Sequence, residues 1–137
     1  MNLPKELRYT NEHEWIRIDE DSSNEEKKIA IIGITDFAQS ELGDLVYIEV
    51  DTVGDDLQKD DIFGTVEAVK TTSDLFMPVS GTVLEVNDAI SDSGGDNPAL
   101  INDDPYGEGW IIKVELQDPS ELEELLSAES YENLISG

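Results

Sequence analysis

Between Asp60 and Ile112 the chain carries a single basic residue, Lys70. It lies between two β-rich runs, Ile62-Phe63-Gly64-Thr65-Val66-Glu67-Ala68-Val69 and Asp74-Leu75-Phe76-Met77, which puts it at or beside a hairpin turn. A primary amine on such a tip is open to solvent and to a modifying enzyme, while the paired strands hold its position, so it suits a tether. An ordinary surface lysine satisfies the same pattern, and position alone leaves both readings open. Other reactive groups are scarce. The chain has no cysteine, which excludes disulfides, thiolate metal sites and thiol nucleophiles, so any redox chemistry must be borrowed. His13 is the only imidazole and no G-x-S-x-G elbow is present, which argues against a serine-type hydrolase. Asp92, Asp96 and Asn97 share a Gly-rich stretch, but their spacing does not match an EF-hand loop, and no metal site is expected.

These residues need a scaffold, and 137 residues with 38% apolar content are enough for one core-forming domain spanning 1–137 and too few for two ordinary ones. The formal net charge of -25 repels nucleic-acid phosphates and anionic membrane surfaces, so neither is an expected partner. Partners with basic patches fit this charge, and so does simple solubility. No apolar run approaches the ~20 residues that span a bilayer, and Met1 to Arg8 lacks the apolar core of a secretory signal. A cytoplasmic protein of bacterial or archaeal origin is expected, with a processed organellar form left open.

Short β-rich runs separated by turn signals fill the first 115 or so positions, at the roughly 8 to 12 residue spacing of a sandwich or small barrel. The expected strands are His13–Arg17, Lys28–Ile34, Leu45–Val50, Ile62–Val69, Asp74–Met77, Gly81–Val86 and Trp110–Glu115, with Asp19 to Lys27 as a solvated loop. Thr35 to Gly43 breaks this pattern with a cap residue, helix-like spacing of Phe37, Ala38 and Leu42, and a closing glycine, so a short helix is predicted there. A C-terminal helical segment over about 118–135 follows from Asp118, Pro119 and Glu121 at cap, first and third helical positions ahead of Leu122, Leu125 and Leu126. Ser127 restarts it, with Tyr131, Leu134 and Ile135 in the second unit. Trp15 and Trp110 read as packing residues, and Gly64 and Gly81 as permitting tight turns.

The text around the lysine is specific. Gly64, Glu67, Val69-Lys70, Ser73-Asp74, Pro78-Val79-Ser80-Gly81 and Glu85-Val86-Asn87 resemble, nearly residue by residue, the lipoyl-lysine segment of glycine cleavage system H proteins. Upstream, Tyr9-Thr10, His13-Glu14-Trp15, Gly33-Ile34-Thr35-Asp36, Ala38-Gln39, Leu42-Gly43-Asp44 and Val46-Tyr47 continue the resemblance in the family's order. Downstream, Asn102, Asp104-Pro105-Tyr106-Gly107, Gly109-Trp110, Glu124-Leu125-Leu126 and Tyr131 complete it, so that it covers Leu7 to Leu134. The segment from Asn87 to Asn102 is about four residues longer than the family pattern, with Gly94 to Asn97 as the insertion; loop closure makes this cost only a few tenths of a kcal/mol.

The resemblance implies a mainly β, lipoyl/biotinyl-type barrel-sandwich hybrid and a non-catalytic carrier with lipoic acid amide-linked to Lys70. A pyridoxal-phosphate glycine decarboxylase would load the aminomethyl group of glycine onto the arm. An aminomethyltransferase would unload it to tetrahydrofolate, and dihydrolipoamide dehydrogenase would reoxidise the arm. A lipoate ligase or a lipoyl/octanoyl transferase would attach it. The resemblance also marks Glu14 and Asp74 as acids that shelter the cationic end of a loaded arm, with solvated surface acids as the plainer reading. Glu67 and His13 are further candidates for sheltering or recognition, although His13 reads first as packing beside Trp15 or as a structural hydrogen bond. Biotin carriers place methionine on both sides of their lysine, whereas Val69 and Thr71 flank Lys70. Lipoyl domains of 2-oxoacid dehydrogenases lack the His13-Glu14-Trp15 region and the C-terminal helices. A carrier that relays lipoyl groups to other proteins stays open, because it needs the same lysine.

Overall fold

The computed structural model describes residues 3–21, 23–24, 26–91, 94–95 and 97–136. Among the described residues nine strands form two antiparallel sheets. The larger contains β1 (Arg8–Tyr9), β2 (Glu14–Ile18), β3 (Ile29–Ile34), β5 (Asp56–Leu57), β8 (Gly81–Val86) and β9 (Ile112–Leu116), in the order β1-β2-β3-β9-β8-β5. The smaller contains β4 (Leu45–Glu49), β6 (Ile62–Ala68) and β7 (Thr72–Phe76), in the order β4-β6-β7. This is the mainly β barrel-sandwich architecture.

Strand alternation builds the interior. Ala30, Ile32 and Ile34 of β3 face inward with Ile16 of β2 and Val114 of β9, and meet Phe63, Val66, Leu75 and Met77 from the hairpin side. The opposite face of β2 and β3 is covered as well, so β3 is buried along its whole length. There Trp15, Ile31, Tyr9 and Leu7 pack with Tyr131 of the C-terminal helix α3 (Ala128–Ser136). Trp15 pairs with Gly33 across the ladder, and a Cβ on Gly33 would come within 2.7 Å of the Trp15 indole nitrogen, so only glycine lets the ring lie flat there. The same nitrogen donates to the Pro105 carbonyl at 3.0 Å.

Helix α1 (Asp36–Leu42) forms where cap and stop signals place it. Thr35 Oγ1 accepts from the Ala38 N–H, and Gly43 at φ +80° donates its N–H to the Gln39 carbonyl and ends the helix. A helix not expected from the sequence, α2 (Ala99–Asp103), fastens this end: Asn102 donates to the Gly43 carbonyl and to Gln39, and accepts from Leu45 N–H.

Several boundaries depart from expectation. β7 begins at Thr72, two residues early, which tightens the hairpin to a three-residue tip, and β9 begins at Ile112 because Trp110 lies outside the ladder. Gly64 and Gly81 lie within strands, and a Cβ on either would press on the Glu49 or Glu115 carbonyl, so close backbone approach rather than a turn explains them. Asp118 caps, but Pro119–Glu124 is a 3-10 helix, closed by bonds such as Glu121 N–H to the Asp118 carbonyl, and the Glu121 carboxylate turns outward to accept from the Ser80 N–H (2.8 Å) and hydroxyl (3.2 Å). Asp92, Ser93 and Asp96, in the stretch weighed for calcium and for the insertion, lie outside the described residues.

Candidate functional site

The hairpin of β6 and β7 ends on Val69, Lys70 and Thr71, closed by a bond from the Ala68 N–H to the Thr71 carbonyl at 2.7 Å. Val69 N–H donates to the Asp44 carbonyl at 3.1 Å, so the tip is braced on the chain that leaves α1. Lys70 is exposed at the centre of this tip, and its side chain runs beside Gly43: a Cβ there would sit 3.2 Å from Lys70 Cε. Gly43 thus supplies both the left-handed helix stop and the room for the Lys70 side chain.

A cleft of about 430 Å³ reaches Leu42, the chain neighbour of Gly43, while Lys70 itself is not part of its lining. One wall is α1, with Phe37, Glu41 and Leu42; another is β7, with Ser73 and Asp74; the floor is the segment Glu12, His13 and Glu14. From Gly43 back to Phe37 the helix runs about 9 Å at 1.5 Å per residue. A second groove, of about 490 Å³ and lined by Lys59, Asp60, Pro78 and Leu125, shares Glu12 and Glu14 but no residue of α1 or of the hairpin tip.

His13 adopts φ +72°, a left-handed conformation that its own backbone bonds enforce: its N–H donates to Thr10 and its carbonyl accepts from Thr35. The turn brings the ring onto Phe37, with centroids 5.0 Å apart, and brings Nδ1 to 2.8 Å from the Tyr131 hydroxyl. The ring therefore contacts Phe37 and Tyr131, and of the two structural roles expected for it, packing beside Trp15 or a hydrogen bond, the structure shows the hydrogen bond. Glu14 follows on β2 and is only 2% exposed, which removes the surface-acid reading for this residue. Thr10 Oγ1 donates to its Oε1 at 2.7 Å, and the Phe76 N–H lies 3.5 Å from Oε2. Burial, aided by the negative charges of Glu12 and Asp60, outweighs these two bonds and pushes the Glu14 carboxyl up to about 8. Asp74 is exposed on the cleft rim. Glu67 is exposed on β6 and is not part of the cleft wall. Among the described residues no group of three acids or histidines is gathered to hold a metal ion.

The Glu14 shift has a consequence for stability. The folded chain holds a proton that the unfolded chain releases between pH 4.5 and about 8, so this carboxyl costs stability as pH rises through that window. Replacing Glu14 by glutamine should remove that cost. Urea denaturation midpoints of the variant are expected to gain on wild type between about pH 5 and 8, by on the order of a few kcal/mol in total.

Of the candidates singled out in the sequence, Glu14, Asp74 and His13 line one cleft, and Lys70 lies beside Gly43, next in the chain to the cleft residue Leu42. Sequence reasoning missed Glu12, Glu41 and Phe37 as cleft residues and Tyr131 as the partner of His13. Helical spacing could have placed Glu41 on the exposed end of α1, but nothing local links positions 13 and 131.

Comparison with known proteins gives a consistent result. The family model described as glycine cleavage H-protein matches residues 7–137. The chain is 50% identical over 137 residues to a glycine cleavage system H protein of Bacteroides thetaiotaomicron, covering 100% of both. It is 53% identical over 133 residues to that of Carboxydothermus hydrogenoformans, covering 97% of this chain and 94% of the relative. The crystal structure of a glycine cleavage system H protein from Mycobacterium marinum superposes with a TM-score of 0.82 at 37% identity, covering 98% of this chain and 99% of that one.

Proposed function

The chain belongs to the glycine cleavage H-protein family, whose members are carrier subunits rather than enzymes, and on that footing we propose that Lys70 bears a lipoyl group that shuttles the aminomethyl group of glycine. When bound, that group supplies a dithiolane that takes up and releases the aminomethyl unit and is reoxidised afterwards. The protein's own part is to mount, orient and shelter. The paired strands fix the root at Lys70, and Gly43 leaves space for it beside Leu42, where the cleft begins. Asp74 and Glu14 receive the cationic end of a loaded arm, Asp74 from the rim and Glu14 from the floor. Glu67, exposed on the hairpin, serves recognition by a lipoate ligase or a lipoyl/octanoyl transferase.

The observation that carries this reading is the lysine at the centre of a braced tip, with its side chain laid beside Gly43, next in the chain to a residue of the carboxylate-lined cleft. Glycine decarboxylase, aminomethyltransferase and dihydrolipoamide dehydrogenase are the partners it entails. Basic surfaces on them suit a chain of net charge -25. No helix among the described residues is long and apolar enough to cross a membrane, and the compared relatives are bacterial, so the cytoplasm is the proposed setting. Reconstitution tests the function: the lipoylated protein with the three partner enzymes should release carbon dioxide from glycine. Support for lipoyl transfer to other proteins without glycine decarboxylation would show a relay carrier instead.

A further inference from the structure

His13 shares its cleft with three carboxylates, Glu12 on its own segment, Glu41 on α1 and Asp74 on β7, and with the Glu14 carboxyl, which burial keeps protonated until about pH 8. An imidazole in such company is expected to take up a proton and become their counter-ion. Its hydrogen bonds oppose this. Thr35 Oγ1 accepts the Ala38 N–H as a helix cap, and the one acceptor for its own proton among the described residues is the Tyr131 hydroxyl oxygen, 2.8 Å away. The Tyr131 proton is then left for His13 Nδ1, also at 2.8 Å. With the opposite polarity, His13 would donate to Tyr131 and Tyr131 to Thr35, which strands the Thr35 proton at a position with no exposed surface. The chain of bonds therefore runs Thr35 to Tyr131 to His13 and ends on an unprotonated Nδ1. An imidazolium carries protons on both ring nitrogens, so it cannot form at His13 without breaking that chain.

We propose that this hydroxyl relay, anchored in the C-terminal helix, keeps His13 neutral so that the cleft carboxylates stay free for a cationic amine carried in on the Lys70 arm. The inference rests on reading the cleft as the shelter of that arm. Tyr131 is a positioning residue: it is fully buried, its ring stacks on Tyr9 at 4.9 Å, and it is not part of the cleft wall. Burial acts in the same sense. It holds the imidazole below its ordinary range against the pull of Glu12 and Glu41, and it pushes the Tyr131 hydroxyl up to about 12, so that it remains a donor.

His13 is the chain's single histidine, so its ring nitrogens can be followed without ambiguity by 15N NMR of the unmodified protein. Wild type should show one species at neutral pH, the Nε2–H tautomer. Tyr131→Phe keeps the stacked ring and removes only the hydroxyl; there the tautomers should mix and the midpoint of protonation should rise. In lipoylated, aminomethyl-loaded carrier the variant should release ammonia several-fold faster than wild type near about pH 6 and at the same rate near about pH 8, where the imidazole is neutral in both. Adding His13→Asn should erase the difference at the lower pH, because asparagine tolerates the left-handed backbone and does not titrate. An Nδ1–H tautomer in wild type, an unmoved midpoint in Tyr131→Phe, equal release near pH 6 or a difference that persists near pH 8 each overturns the relay. Failure of the underlying reading has a separate signature: wild-type carrier would release ammonia no more slowly than free aminomethyl-lipoamide.

Discussion

Arginine at position 70 is expected to abolish carrier activity while leaving the fold intact. The side chain there is exposed, its neighbours at the tip are held by backbone bonds from Ala68 and Val69, and arginine keeps the length and charge of lysine. It cannot form the amide, because its guanidinium offers no free primary amine. Circular dichroism and the urea midpoint of Lys70→Arg should match wild type within about 0.5 kcal/mol, the usual scale of a surface substitution. Glycine decarboxylation with the three partner enzymes should fall to the level seen without any carrier. Retained activity would mean that another lysine carries the group, and loss of the fold would mean that the tip has a structural role.

The second large effect concerns the loaded arm. A loaded arm would end in an ammonium beside a thioether, which water would convert to a thiol, formaldehyde and ammonium ion. Holding the amine protonated against carboxylates slows that loss, because expulsion of the sulfur needs the nitrogen lone pair. Charge-assisted hydrogen bonds of this kind contribute roughly 1.5–3 kcal/mol each, so Asp74→Asn with Glu14→Gln should speed ammonia release by about tenfold or more. Both substitutions keep shape and remove charge. Glu14 is held largely neutral in the empty carrier by its burial, so it must give up its proton when the cation arrives. Glu14→Gln should therefore also abolish a proton release on loading. Ammonia is followed from pre-loaded carrier in the absence of the transferase, and equal decay in variant and wild type would contradict the sheltering role. Lipoylation itself should be unaffected, since neither residue lies on the tip.

How much of this was legible in the sequence depends on how local each signal is. The Lys70 hairpin could be read because an isolated lysine between two β-rich runs needs no distant partner to define it. Helix α1 could be read because Thr35 and Gly43 carry its start and stop in their own chemistry. β1 and β5 could not, since two residues are too short for any periodicity. In the 3-10 turn after Asp118 a tertiary contact stands where a local one was expected: Glu121 occupies the place of a capping-box acid but binds Ser80, 41 positions away in sequence.

The site divides in the same way. Glu14 looks like any of the chain's acids until the fold closes over it, although Thr10, four residues earlier, is the group that satisfies its carboxyl. His13 lies 118 positions from Tyr131 and reaches it through a left-handed turn. No pattern of spacing encodes either fact. The cleft is assembled from four segments, the Glu12–Glu14 floor, Ile34 at the end of β3, α1 and β7, each unremarkable alone.

Peptide mapping by mass spectrometry decides whether Lys70 carries the lipoyl group. Protein produced in cells able to lipoylate should show one lipoyl adduct by intact mass, located on the peptide containing Lys70 and absent from Lys70→Arg. A lipoyl adduct on Lys59 or Lys113 with Lys70 unmodified would contradict the account.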